Sequence, residues 1–153
     1  IIIIHWNNMR GTLPDEVQFL TSLENFTLVG GPLHGTIPEG IGNLVNLKHL
    51  HLIENRLSGT IPESLSKSIN LEYISLSINE NLTGNLDFLC PLENMINMSA
   101  DCGGADIKVT CSCCDSCCAA TEHECCVVKS LPWADIGECF STLPPELRIE
   151  GNP

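Results

Sequence analysis

One period governs most of this chain. The string MRGTLP begins at Met9, LHGTIP at Leu33, LSGTIP at Leu57 and LTGNLD at Leu82, at offsets of 24, 24 and 25 residues. The positions between keep the same beat. Leu23, Leu47 and Leu71 align, as do Phe26, Leu50 and Ile74, and then Leu28, Leu52 and Leu76. Pro14, Pro38 and Pro62 share a column, and so do Gly11, Gly35, Gly59 and Gly84. Asn55 and Asn79 align where the preceding repeat has Gly31. A fixed period of this length marks a stack of units that cannot bury their apolar faces singly. Counting two periods back from Leu50, Leu52, Asn55 and Leu57 lands on Ile2, Ile4, Asn7 and Met9. IIIIHWNNM therefore reads as the back half of a unit whose front half is missing.

Each recurring residue has a physical task. In L-x-L the two aliphatic side chains face one side of a short strand and the intervening residue faces the other. The Asn that follows turns the chain and offers its amide to backbone groups that the turn would bury unpaired. Gly allows the tight backbone after it, and Pro fixes φ where no donor is needed. Each unit buries about six apolar side chains at roughly 1.5–3 kcal/mol apiece.

Leu44 to Pro62, LVNLKHLHLIENRLSGTIP, matches L-x-x-L-x-x-L-x-L-x-x-N-x-L-x-G-x-I-P throughout. It resembles the plant-type leucine-rich repeat, and the resemblance covers residues 1 to about 89. It implies an α/β fold: a right-handed solenoid with short parallel β-strands on the concave side and turns or 3-10 segments on the convex side. Three departures stand out. Ser68 occupies the Leu44 column, INENLTG carries an inserted residue, and Asp87 replaces Pro.

If Leu50 and Leu52 point inward, His49, His51 and Ile53 point outward. The matching outward residues are Ile1, Ile3 and His5; Asn25, Thr27 and Val29; and Tyr73, Ser75 and Ser77, with Trp6 and Glu54 at the edge. In leucine-rich repeat proteins this concave surface is the usual ligand face. The resemblance thus nominates His5, Trp6, Asn25, Thr27, Val29, His49, His51, Ile53, Tyr73, Ser75 and Ser77 as ligand contacts. The face is largely uncharged and carries His, Tyr and Trp, which suits a protein, peptide or glycan ligand better than a highly charged one. His49 and His51 share a face at His-x-His spacing, but no carboxylate or cysteine in this half completes a set of metal ligands.

All ten cysteines come late: Cys90, Cys102, Cys111, Cys113, Cys114, Cys117, Cys118, Cys125, Cys126 and Cys139. Three chemistries compete for them. Cys-x-Cys and Cys-Cys pairs chelate soft metals as thiolates, although the spacings are irregular and no His recurs among them. A nucleophilic Cys would need a base, and His123 is near, but acidic surroundings raise a thiol pKa. An even count in a small module with little core reads as a disulfide framework in an oxidising compartment. The repeat type favours the last, because plant-type repeats occur chiefly in secreted or cell-surface ectodomains with cysteine caps. More narrowly, ADC at 100–102 with VTCSCCDSCC at 109–118 resembles the C-terminal cysteine motif of leucine-rich repeat proteins from diatoms, which closes the array. The expected division is a solenoid over 1–89, a Cys-rich cap over 90–126 and an irregular tail over 127–153. A short capping helix through Leu92, Met95 and Ile96 is expected to cover an apolar end at Leu86 and Leu89. TLPPEL at 142–147 echoes TLPDEV at 12–17.

Three N-x-S/T sequons, at Asn25, Asn81 and Asn97, are glycosylation candidates in a secreted chain. The net charge of −12 disfavours nucleic acid and anionic membranes as partners. No apolar run reaches the roughly 18 residues that span a bilayer. The chain does not begin with Met, so membrane anchoring elsewhere in a precursor fits as well as secretion. No phosphate-binding loop, G-x-S-x-G or cofactor motif is present. The expected function is non-catalytic recognition at or outside the cell surface, with no cofactor. Its rivals are a metal-binding Cys-rich protein and a structural or adhesive surface protein.

Overall fold

The computed structural model describes residues 1–5, 10–103, 107–119 and 124–127 of the 153. Trp6, Asn7, Met9, His123, Cys139 and the TLPPEL echo lie outside the described residues. In chain order the elements are β1 (Ile2–His5), the 3-10 segment η1 (Asp15–Phe19), β2 (Asn25–Val29), β3 (His34–Gly35), η2 (Glu39–Asn43), β4 (His49–His51), β5 (Arg56–Thr60), η3 (Glu63–Lys67), β6 (Tyr73–Ser75), β7 (Asn81–Asn85), η4 (Asp87–Leu89), β8 (Asn97–Ala100), β9 (Val109–Thr110), β10 (Ser116–Ala119) and β11 (Glu124–Val127).

The strands form two sheets. The L-x-L strands stack in the order β1-β2-β4-β6-β8-β10-β11, parallel except for the closing antiparallel pair β10–β11. The register is that of the repeat: Phe26 lies beside Leu50, Leu50 beside Ile74 and Ile74 beside Met98. The L-x-G segments form a second parallel sheet, β3-β5-β7-β9. It was not expected, because the Gly column reads from sequence as a turn. His34 pairs with Arg56 and Ser58 with Asn81, so the inserted residue of INENLTG is taken up before β7 and Leu82 stays buried.

Pro14, Pro38 and Pro62 stand in extended conformation at the starts of η1, η2 and η3. Between the sheets and these segments lies one continuous core that includes Leu44, Leu47, Leu50, Leu52, Leu57 and Leu65. At roughly 1.5–3 kcal/mol for each large side chain, this layer is the main source of stability.

The Asn columns do what the sequence assigns them. Asn79 is buried, and its Nδ2 donates to the carbonyls of Leu52, Leu76 and Ser77 at 2.8, 3.0 and 3.3 Å. Its Oδ1 accepts the amide of Leu57 at 3.0 Å. Asn55 likewise donates to Leu28, Ile53 and Leu52. A second ladder lies on the opposite flank, where Asn46, Asn70 and Asn94 donate to the carbonyls of Thr21, Val45 and Ile69.

Past Leu89 one expectation is corrected. No capping helix forms over Leu92, Met95 and Ile96; the chain builds another rung. Leu92 N–H bonds to Leu89 O and Met95 N–H to Leu92 O, then β8 joins β6 in parallel. The reason is that L-x-x-L spacing satisfies a repeat as well as a helix, and the open edge of β6 offers hydrogen bonds that a helix would leave unmet. Glu72 O accepts the amides of both Ile96 and Asn97. Met98 and Ala100 fill the columns of Ile74 and Leu76, and Leu86 and Leu89 are fully buried rather than an exposed end.

Candidate functional site

On the outward side of the large sheet the register draws straight rows. Asn25, His49, Tyr73 and Asn97 form one row. Ile3, Thr27, His51, Ser75, Ser99 and Ser116 form the next. The aliphatic residues between them are committed to the core, so the alternation of the strand places both histidines outward.

The rows meet in a compact aromatic and imidazole group. The ring of His49 stands edge-on to Tyr73 with centroids 4.9 Å apart and perpendicular to His51 at 6.1 Å. His49 Nε2 lies 3.8 Å from a carboxylate oxygen of Glu72. His51 is half-buried, and its pKa is held below the ordinary imidazole value, first by burial and then by the neighbouring His49 and His5. Near neutral pH it is therefore an uncharged ring with one donor and one acceptor.

The nominated contacts separate into two groups. His5 is exposed, and Asn25, Val29, His49, His51, Ile53 and Tyr73 are partly exposed. Thr27, Ser75 and Ser77 point to the same side but are buried. The hydroxyls of Ser75 and Ser77 both bond to Ser99 Oγ, so they brace the sheet from within. Ile3, 53% exposed, and Ile1, 79% exposed, extend the face with apolar surface. Asn97 and Ser99 also belong to it and were missed, although Asn94, Met95 and Met98 continue the columns of Asn70, Leu71 and Ile74. Of the sequons, Asn25 is partly exposed on this face, Asn97 is exposed on the same face three strands further along, and Asn81 is exposed on β7.

The cysteine cluster closes the stack. Cys90 is bonded to Cys113, Cys102 to Cys117 and Cys111 to Cys114. Cys118 is also disulfide-bonded, and there is no free cysteine among the described residues. Cys125 and Cys126 lie in β11, opposite Cys118 and Cys117 of β10. Cys114 and Cys118 are buried against the last rung. A carboxylate replaces the next turn of the solenoid here. In earlier rungs the amides of Gly30 and Gly31 bond to Ile53 O and Glu54 O, and those of Glu54 and Asn55 to Ser77 O and Ile78 O. Ile78 and Asn79 instead donate to Oδ1 and Oδ2 of buried Asp101, at 2.7 and 2.8 Å. Asp87 Oδ1 accepts the amide of Ser112 at 2.6 Å, which pulls its pKa below the usual carboxylate range and ties η4 to the cluster.

Among the described residues no group of three or more His, Cys, Asp or Glu side chains is arranged to hold a metal ion. No described helix is long and apolar enough to cross a membrane.

Comparison with known proteins places this geometry. The family model described as Leucine Rich Repeat matches residues 46–68. No curated protein matches the chain significantly. Among solved structures, the ectodomain of the receptor kinase SOBIR1 from Arabidopsis thaliana is similar at 34% identity and a TM-score of 0.60, over 64% of this chain and 53% of that one. The plant peptide hormone receptor RGFR1, solved with RGF2, is similar at 31% identity and a TM-score of 0.64, over 72% of this chain and 17% of that one. The Arabidopsis receptor kinase HAESA, solved with the peptide hormone IDA and the co-receptor SERK1, is similar at 33% identity and a TM-score of 0.60, over 65% and 17%. The chain thus spans about half the length of the SOBIR1 ectodomain and under a fifth of the two peptide receptors.

Proposed function

We propose that this chain, a plant-type leucine-rich repeat solenoid, is a non-catalytic recognition module that holds a peptide or protein segment across its seven-stranded sheet. The observation that carries this reading is the group of His49, His51 and Tyr73, packed ring to ring on an outward face. The solenoid needs none of these rings for its core, so their assembly is better explained by contact with a partner. Aromatic and imidazole groups with few charges are the composition of an interface centre. Ile1 and Ile3 supply apolar area on one side, and Glu72 supplies an acceptor on the other. Structures similar to this chain include receptors solved with peptide hormones, which supports a peptide as the ligand class.

The site is outside the cytosol in this reading. Three described disulfides and the bonded Cys118 require an oxidising compartment. The same bonds count against the metal-binding alternative, because an oxidised cysteine offers no thiolate.

The test is selection of linear peptides from a displayed random library on the oxidised chain. Selected peptides are then titrated against a variant carrying His49→Ala, His51→Ala and Tyr73→Ala. A loss of tenfold or more is expected. Equal affinity for the variant would move the site elsewhere.

A further inference from the structure

The first full repeat departs from its successors at one place that the sheet face does not use. Where later rungs carry Glu54-Asn55 and Ile78-Asn79, it has Gly30-Gly31. Gly30 occupies the left-handed region with φ 67°, as Glu54 and Ile78 do in theirs, so the turn is the same and only the side chains are missing. Their absence opens a trough on the flank of the solenoid, at the C-terminal ends of the sheet strands. His49 and Tyr73 begin their strands and lie at the other end.

Two contiguous hollows of about 570 Å³ each make up the trough, joined through Gly31 and Arg56. One is walled by Arg10, His34 and Arg56 above Gly31 and Pro32. The other carries Glu54 and Glu80 beside Asn55 and Asn81. Arg10 and Arg56 are two of only three arginines in a chain of net charge −12. Both are exposed, and neither is in an ion pair among the described residues.

We propose that this trough is a second binding site, for an acidic segment of a peptide or protein, distinct from the sheet face. Arg10, His34 and Arg56 come from three successive rungs, and strands stack about 4.8 Å apart. Arg10 and Arg56, two strand spacings apart, therefore span about 10 Å along the stack, the length of two to three residues of an extended chain. A run of acidic side chains matches that span. The guanidinium fork pairs with a carboxylate through two parallel hydrogen bonds, which gives orientation as well as attraction. Beyond the acidic run, Glu54 and Glu80 repel further acid, so the bound segment turns neutral or basic toward Asn55 and Asn81. No Trp, Tyr or Phe is among the described residues that line the trough, which disfavours a pyranose ring as occupant.

The test uses the oxidised full chain and an acetylated, amidated tetraglutamate peptide, with tetraglutamine as control. Saturable tetraglutamate binding is expected at 50 mM salt, weaker at 500 mM because the contact is electrostatic. Arg10→Gln and Arg56→Gln should each weaken it at least fivefold while leaving the circular dichroism spectrum unchanged. His49→Ala should leave it unchanged, which separates this site from the sheet face. Absence of saturable binding would overturn the proposal, as would equal binding by both arginine variants or loss of binding in His49→Ala. Binding of polygalacturonate in place of tetraglutamate would replace the peptide with an acidic glycan and overturn it as stated.

Discussion

Two residues show how far single side chains can be read. Ser68 stands in the column of Leu44, and the repeat alone marks it as an anomaly. The structure adds that it is fully buried and that its Oγ has no hydrogen-bond partner among the described residues. An unpaired buried hydroxyl costs about 1–3 kcal/mol. Ser68→Ala is therefore expected to stabilise the chain by about 1 kcal/mol, measured by urea unfolding under oxidising conditions; a destabilised variant would mean that the hydroxyl has a partner after all. His51 makes the opposite point, because sequence placed it on the outward face but could not say how deeply it sits between its neighbours. With its folded pKa depressed, the unfolded chain takes up a proton first as pH falls. Its contribution to stability is complete above the ordinary imidazole pKa of about 6.5 and is lost as pH drops below that value toward the folded pKa. The melting temperature should fall between pH 7 and 5 more steeply in the wild type than in His51→Asn. An NMR midpoint for His51 at or above about 6.5 would refute this.

At the scale of elements, the period made the strands, the Asn turns and the core columns legible, since each follows from burying one side of L-x-L. It did not reveal where the stack ends. Leu92, Met95 and Ile96 fit a helix and a repeat equally well, and the open edge of β6 decided between them. Nor did it mark Asp101 as the residue that replaces a missing rung, because no periodic column requires an acid there. Two substitutions test these contacts. Asp101→Asn sets an amide against one of the two N–H groups of Ile78 and Asn79, and hydrogen bonds to charged groups contribute about 1.5–3 kcal/mol. A loss of about 2 kcal/mol is expected, with faster hydrogen exchange confined first to those two amides. Gly42 lies where η2 crosses η3, and a methyl group there would come within 2.1 Å of Ser64 O. Since backbone must move to admit it, Gly42→Ala should destabilise by about 1–3 kcal/mol. A neutral outcome would show that η2 and η3 are free to separate.

At the scale of the whole molecule, a stack in which each rung touches only its neighbours has no reason to lose stability uniformly. Its free energy is close to a sum over rungs and the interfaces between them. The described disulfides lie at one end, where Cys90–Cys113 and Cys102–Cys117 link the last full rung to β10 and the residues before it and Cys111–Cys114 closes a short loop. The Cys90–Cys113 and Cys102–Cys117 bonds close loops with separations of 23 and 15 residues. In the chain-entropy account, each such bond is worth about 3 kcal/mol. Reduction should therefore unfasten β8 and β10 first and expose the far side of Ile74, Leu76 and Leu86. The loss should then weaken with each rung toward β2. Hydrogen exchange measured with and without reductant tests this directly. Protection is expected to collapse at Met98, to fall partly at Ile74 and to change least at Phe26. Equal loss at all three would mean that the molecule unfolds as one cooperative unit and that the cysteine cluster holds every rung, not only the last. A graded loss would also leave His49 and His51, on the middle rung, in place after partial reduction. Recognition at the sheet face would then survive conditions that open the cap.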